Sequence, residues 1–132
     1  MNGLQEAVLK RAKEYNFQLL TSNPDNLKDY VFKNIIVPIV RPVAEVRTSF
    51  YGVKDLLDGK EILLVDKKIK LQTYEDKFHI LTDEGEGPRA LLTVEFENDI
   101  AYVEKISSPS KETYLSQLTH DDLTQAIENL YR

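Results

Sequence analysis

The 132-residue chain has no cysteine and no tryptophan, and only five glycines and five prolines. Without a thiol there is no cysteine nucleophile, no zinc ribbon, no iron–sulfur cluster and no disulfide framework. The start of the chain, MNGLQEAVLK, lacks the apolar stretch of a secretory leader. Together these absences point to a reducing, cytoplasmic compartment. Long apolar runs are missing too. The longest, Ile35-Ile36-Val37-Pro38-Ile39-Val40, is far short of the roughly 20 residues a membrane-spanning helix needs. Association with a membrane is therefore not expected.

Positive charge is in deficit, and unevenly. The chain carries 17 basic and 22 acidic side chains, a net charge of −5. Residues 1–66 balance nine of each, whereas residues 67–132 hold eight basic and thirteen acidic. Within residues 83–104, Asp83, Glu84, Glu86, Glu95, Glu97, Asp99 and Glu104 face only Arg89. Nucleic acid and acidic lipid would be repelled by this stretch. Asp83, Glu84, Glu86, Glu95, Glu97 and Asp99 are instead the candidate interaction surface for a protein partner with a basic face, because such a field speeds encounter and suppresses wrong partners.

What is present is an ordinary globular composition, 42% hydrophobic and 30% charged. A chain of this length buries roughly two-thirds of its unfolded surface and needs no covalent staple. It reads as one domain over residues 1–132, helical over 1–59, a β-meander over 60–106 and helical again over 107–132. Leu4, Val8, Ala12 and Tyr15 recur at helical spacing, with Lys10, Arg11, Lys13 and Glu14 largely around the other side. Asn23-Pro24-Asp25 starts a second helix by cap, first-position proline and dipole-matched acid. Its stripe is Leu27, Tyr30 or Val31, and Ile35, and Pro38 is expected to end it near Val37. Pro42 opens a third helical segment through Val43, Val46, Phe50, Val53 and Leu57, stopping at Asp58-Gly59. Strand is the competing reading of residues 42–58, because Thr48, Gly52 and several valines weaken a helix.

From Lys60 the period becomes two, over residues 61–66, 68–73, 77–82, 89–97 and 99–106. The short polar breaks between these runs favour antiparallel hairpins. Ile69, Leu71, Phe78, Ile80, Leu92, Val94 and Phe96 share one face. Lys68, Lys70, Gln72, Lys77, His79, Thr93, Glu95 and Glu97 share the other. Ser108-Pro109 or Ser110 is expected to start a short helix containing Leu115 and Leu118. Thr119 then caps a last helix with stripe Leu123, Ile127 and Leu130.

The chemistry-bearing patterns mostly reduce to structure. The stretch Asp83-Glu84-Gly85-Glu86-Gly87-Pro88-Arg89 has two glycines and a basic residue. A phosphate cradle, however, needs amides aimed at an anion, usually at a helix start. Here acids crowd the glycines and a strand follows, so a hairpin tip is the expectation. The acids do not follow calcium-loop order. His79 and His120 belong to no metal or zinc-protease spacing. No G-x-S-x-G is present, and Ser49, Ser107, Ser108, Ser110 and Ser116 sit where serines cap, turn or face water. No catalytic, metal or cofactor residues are assigned. Seven tyrosines suit core, rim or interface packing.

The fold class expected is α+β, with an antiparallel meander of four to five strands covered on one face by N- and C-terminal helices. That element order is shared by unrelated small domains and assigns no function. The function expected is a non-enzymatic intracellular protein-interaction module, such as an adaptor, inhibitor or immunity-type protein, with an acidic surface. The alternative is a small-ligand-binding domain with a pocket between sheet and helices. An enzyme using ordinary acids with His79 or His120 ranks last. Homo-oligomerisation is left open.

Overall fold

The computed structural model describes residues 2–83, 85 and 87–132. Helices come first: α1 (Gly3–Leu20), α2 (Pro24–Val31), a π-helical turn (Phe32–Ile36) and α3 (Val37–Val46). After a 3-10 turn (Thr48–Phe50) the chain enters β1 (Tyr51–Leu56), β2 (Gly59–Leu64), β3 (Lys67–Tyr74), β4 (Lys77–Asp83), β5 (Pro88–Glu97), β6 (Ile100–Ile106) and β7 (Thr113–Gln117). It ends in α4 (His120–Glu128) and a 3-10 turn (Asn129–Tyr131). The fold is α+β. The seven strands form one sheet in sequence order, each antiparallel to the next.

Seven strands replace the expected four to five. Residues 51–56 and 113–117, expected as helix, form the two sheet edges. At the first edge the competing strand reading holds for residues 51–56: Val53 pairs with Ile62, and Asp58-Gly59 turns a hairpin instead of stopping a helix. At the second, Tyr114 pairs with Lys105 and Ser116 with Val103. The expected helix at Ser108 does not form, because the chain is used to complete the sheet.

The helix expected to stop before Pro38 continues to Val46. Widening at the π-helical turn explains this. The amide of Val37 reaches back five residues to the carbonyl of Phe32. The wider turn makes room for the Pro38 ring, which would otherwise clash with the carbonyl four residues back. Pro38 and Pro42 are both exposed.

The other helix ends follow from local chemistry. Asn2 and Gln5 form a capping box on α1, and the Asn23 side chain accepts the Asn26 amide at 2.8 Å. Thr119 and Asp122 form a second box on α4. Two-residue turns close the hairpins at Glu75-Asp76 and Asn98-Asp99, with positive φ at both residues of each, the signature of the I′ turn.

Alternation along the strands separates two faces. Ile62, Ile69, Leu71, Phe78, Ile80 and Val94 are fully buried on the helix side. Leu92 and Phe96 share that side but are only half-buried. A bulge between Ile80 and Leu81 makes Leu91 the extra residue of β5 and keeps Leu92 on the core face. Leu27 and Val31 belong to α2, which packs on β3 and β4, and Leu123 and Ile127 to α4, which packs on β5, with Ile35, Ile36 and Leu130 in the same cluster. The core is thus closed by α2, the π-helical turn and α4. It makes no use of a buried residue from α1 or α3.

Candidate functional site

The expected stripe of α1 exists, but the fold does not bury it. No residue of this 18-residue helix is buried. Leu4 is 74% exposed, Val8 58%, Tyr15 52% and Leu19 56%. At 100° per residue these side chains and Ala12 lie within one band of the helix surface. Phe17 lies on the opposite side, packed half-buried against the core. It meets Tyr30 edge-on, with ring centroids 5.2 Å apart. Thr21, buried after the helix, donates to the Phe17 carbonyl at 2.7 Å. The helix is therefore held by its C-terminal end and turns its apolar band away from the body. Arg11 stacks its guanidinium over Tyr15 at 5.5 Å. Sequence reasoning found Leu4, Val8, Ala12 and Tyr15 but missed Leu19. The seven-residue steps from Val8 to Tyr15 and from Ala12 to Leu19 were the available signal.

Tyr30 also links α2 to α4. Its hydroxyl lies 2.8 Å from His120 Nδ1, and the two rings meet edge-on. Burial raises the tyrosine pKa. His120 lines a cleft on either side of this contact. One, about 510 Å³, lies between α1 and the β7–α4 junction, bordered by Arg11, Glu14, Phe17 and Gln117. The other, about 490 Å³, lies between α3 and α4 and is lined mainly by Ile35, Ile39, Val43, Leu64 and Ile127. Its polar neighbours are engaged within the protein. Tyr131 Oη donates to the Leu64 carbonyl at 3.0 Å, and Thr124 Oγ1 donates to the Asp121 carbonyl at 3.1 Å. Burial, reinforced by Asp66, pushes the Tyr131 phenol up to about 12.

The described acids among those singled out from the sequence, Asp83, Glu95, Glu97 and Asp99, do not converge. Asp83 ends β4, opposite Pro88 at the start of β5, while Glu97 ends β5 and Asp99 lies in the next turn. A ten-residue strand separates these ends, about 30 Å at the usual rise. Glu95, on the open face, pairs with Lys77 at 3.3 Å. Asp83 Oδ1 accepts the Gly85 amide at 3.0 Å, which fits the hairpin reading of this loop. Glu84 and Glu86 lie outside the described residues.

The open face of the sheet mixes charges. Lys70 lies 3.5 Å from Asp58, whose carboxylate also accepts from Gln72 at 2.5 Å. That hydrogen bond, helped by Lys70, lowers the Asp58 pKa. His79 Nδ1 sits 3.1 Å from Thr93 Oγ1, and burial, then Lys77, lower its pKa. His79 and His120 lie on different sides of the molecule, His79 on the open sheet face and His120 on α4. Among the described residues no group of three His, Asp or Glu side chains is placed to hold a metal ion. No helix among them is long and apolar enough to cross a membrane.

No protein-family model, curated protein or solved structure matches this chain. Its geometry must carry the functional reading.

Proposed function

We propose that this protein is a non-enzymatic, intracellular protein-interaction module whose recognition surface is the outward face of α1. One observation carries the reading. A five-turn helix is retained with an apolar band in solvent, although burial of apolar side chains is what usually stabilises a helix. Exposed apolar surface of this extent marks an interaction site. The partner chemistry it fits is another apolar helix face or groove, read through anchors at i, i+4, i+11 and i+15.

The test is photo-cross-linking in native lysate with a benzophenone side chain at Val8 or, as control, at Thr93 on the open sheet face. The protein trapped at Val8 is then purified and its affinity measured. Cross-links at Val8 and not at Thr93, with affinity at least tenfold weaker for a Val8→Glu/Leu19→Glu variant, are expected. Equal cross-linking at both positions, or unchanged affinity, contradicts the proposal.

A second reading rests on the α3–α4 cleft, whose volume falls in the range of small-molecule sites. An apolar ligand there would be excluded by Ile39→Trp, without effect on contacts made through α1.

A further inference from the structure

The apolar band of α1 has a symmetry of its own. Leu4 and Leu19 lie equally far from the middle of the helix, which falls between Arg11 and Ala12. Val8 and Tyr15 also lie equally far from that point. Large side chains thus flank a small central one in the same order from either end. We infer that the partner of this face is a second copy of the chain, paired antiparallel through α1 about a two-fold axis near Ala12. The inference rests on the reading of α1 as the recognition surface.

A two-fold interface must be self-complementary, with residue i meeting j and j meeting i. The antiparallel arrangement places Leu4 against Leu19, Val8 against Tyr15, and the small Ala12 against Arg11, whose guanidinium lies over the Tyr15 ring. A parallel pair would stack Tyr15 on Tyr15 beside a gap at Ala12, combining overpacking with a void. Antiparallel helix dipoles also oppose each other favourably. The folded body is attached at the C-terminal end, through Phe17 and Thr21, whereas residues 3–16 are all exposed. Antiparallel pairing therefore puts the two bodies at opposite ends of the contact.

The area suffices for a weak dimer. The helix is about 27 Å long. Its four large band residues expose on the order of 100 Å² each, on the scale where an aromatic side chain buries 150–250 Å². With Ala12 and flanking atoms this is about 500 Å² per copy and about 1,000 Å² in all, the lower limit for a specific interface. A lipid surface is a poorer occupant. The chain carries a net charge of −5, and Glu6 and Glu14 accompany Lys10, Arg11 and Lys13 on the helix.

Because the chain has no cysteine, single-cysteine variants report the geometry cleanly. Sedimentation of the purified protein from about 1 to 300 μM is expected to show monomer passing to dimer, with a dissociation constant on the order of 10 μM for so small an interface. Leu4→Lys/Leu19→Lys should weaken this at least tenfold while keeping the wild-type circular dichroism and urea midpoint. Under mild oxidation, Ala12→Cys should cross-link to itself. Leu4→Cys should cross-link efficiently to Leu19→Cys in a mixture and poorly to itself. A monomer throughout that range, or self-linking of Leu4→Cys as efficient as that of Ala12→Cys, overturns the inference. So does a monomer that co-sediments with phosphatidylcholine–phosphatidylserine vesicles through the same two leucines. A monomer that cross-links at Val8 to a different protein overturns self-pairing alone and leaves the α1 surface standing. A monomer with no cross-link at Val8 removes both.

Discussion

Gly59 shows how much one position decides in this fold. It opens β2 beside Gln72 of the neighbouring strand β3, and a Cβ built there would lie 1.7 Å from the Leu71 carbonyl oxygen. Only backbone movement could relieve that contact, so Gly59→Ala should cost about 3 kcal/mol or more in urea unfolding. Gly85, at φ 102° with nothing within 4 Å of a built Cβ, should cost only about 1 kcal/mol for its backbone conformation. Equal losses would mean that the approach of β3 to Gly59 is looser than described. The sequence marked Asp58-Gly59 as a boundary but not its kind. A glycine that ends a helix and one that lets two strands approach look alike until the partner strand is known. Tyr131 gives a second residue-level expectation. Its phenol is held protonated in the fold, up to about pH 12, against about 10 for an exposed tyrosine. A raised folded-state pKa contributes stability that is complete below about pH 10 and lost as pH rises towards 12. Tyr131→Phe should remove that alkaline slope and cost about 1 kcal/mol at neutral pH for the hydrogen bond to Leu64. An unchanged slope in the variant would contradict the assignment.

At the scale of elements, the chain's signals were strongest where one rule acted alone. The alternating runs became β2–β6, with the core face read correctly at Ile69, Leu71, Phe78, Ile80 and Val94. The caps at Asn23 and Thr119 formed as local chemistry dictates. Misreading came where rules competed. Pro38 argued for an end that the π-helical turn made unnecessary, and β1 and β7 are edges whose pairing depends on distant residues. The α1 band was legible, but periodicity cannot say whether an apolar face meets the core or the solvent. That answer depends on how α1 is anchored. Phe17 against Tyr30 is the main contact, and an 18-residue helix is marginal without packing. In Phe17→Ala, amide exchange over residues 3–16 should quicken at least tenfold, while sheet amides keep their protection. Uniform quickening across the chain would show that Phe17 supports the whole core instead.

Taken whole, the molecule divides its work between two sets of apolar residues. One closes the core between the sheet, α2, the π-helical turn and α4. The other, on α1, is left outside it. Asp83, Glu95, Glu97 and Asp99, prominent in the sequence, are spread over both ends and the open face of the sheet. Charge counted along a chain does not reveal how a meander distributes it in space. On the function proposed above, the α1 band is surplus to folding and reserved for contact. The most direct test is urea unfolding of a Leu4→Glu/Val8→Glu/Leu19→Glu variant beside wild type, at a concentration low enough to keep both monomeric. Exposed positions should leave the unfolding free energy within about 0.5 kcal/mol of wild type. A loss of several kcal/mol, the size expected when buried apolar side chains are replaced, would place the band in the core and contradict the account.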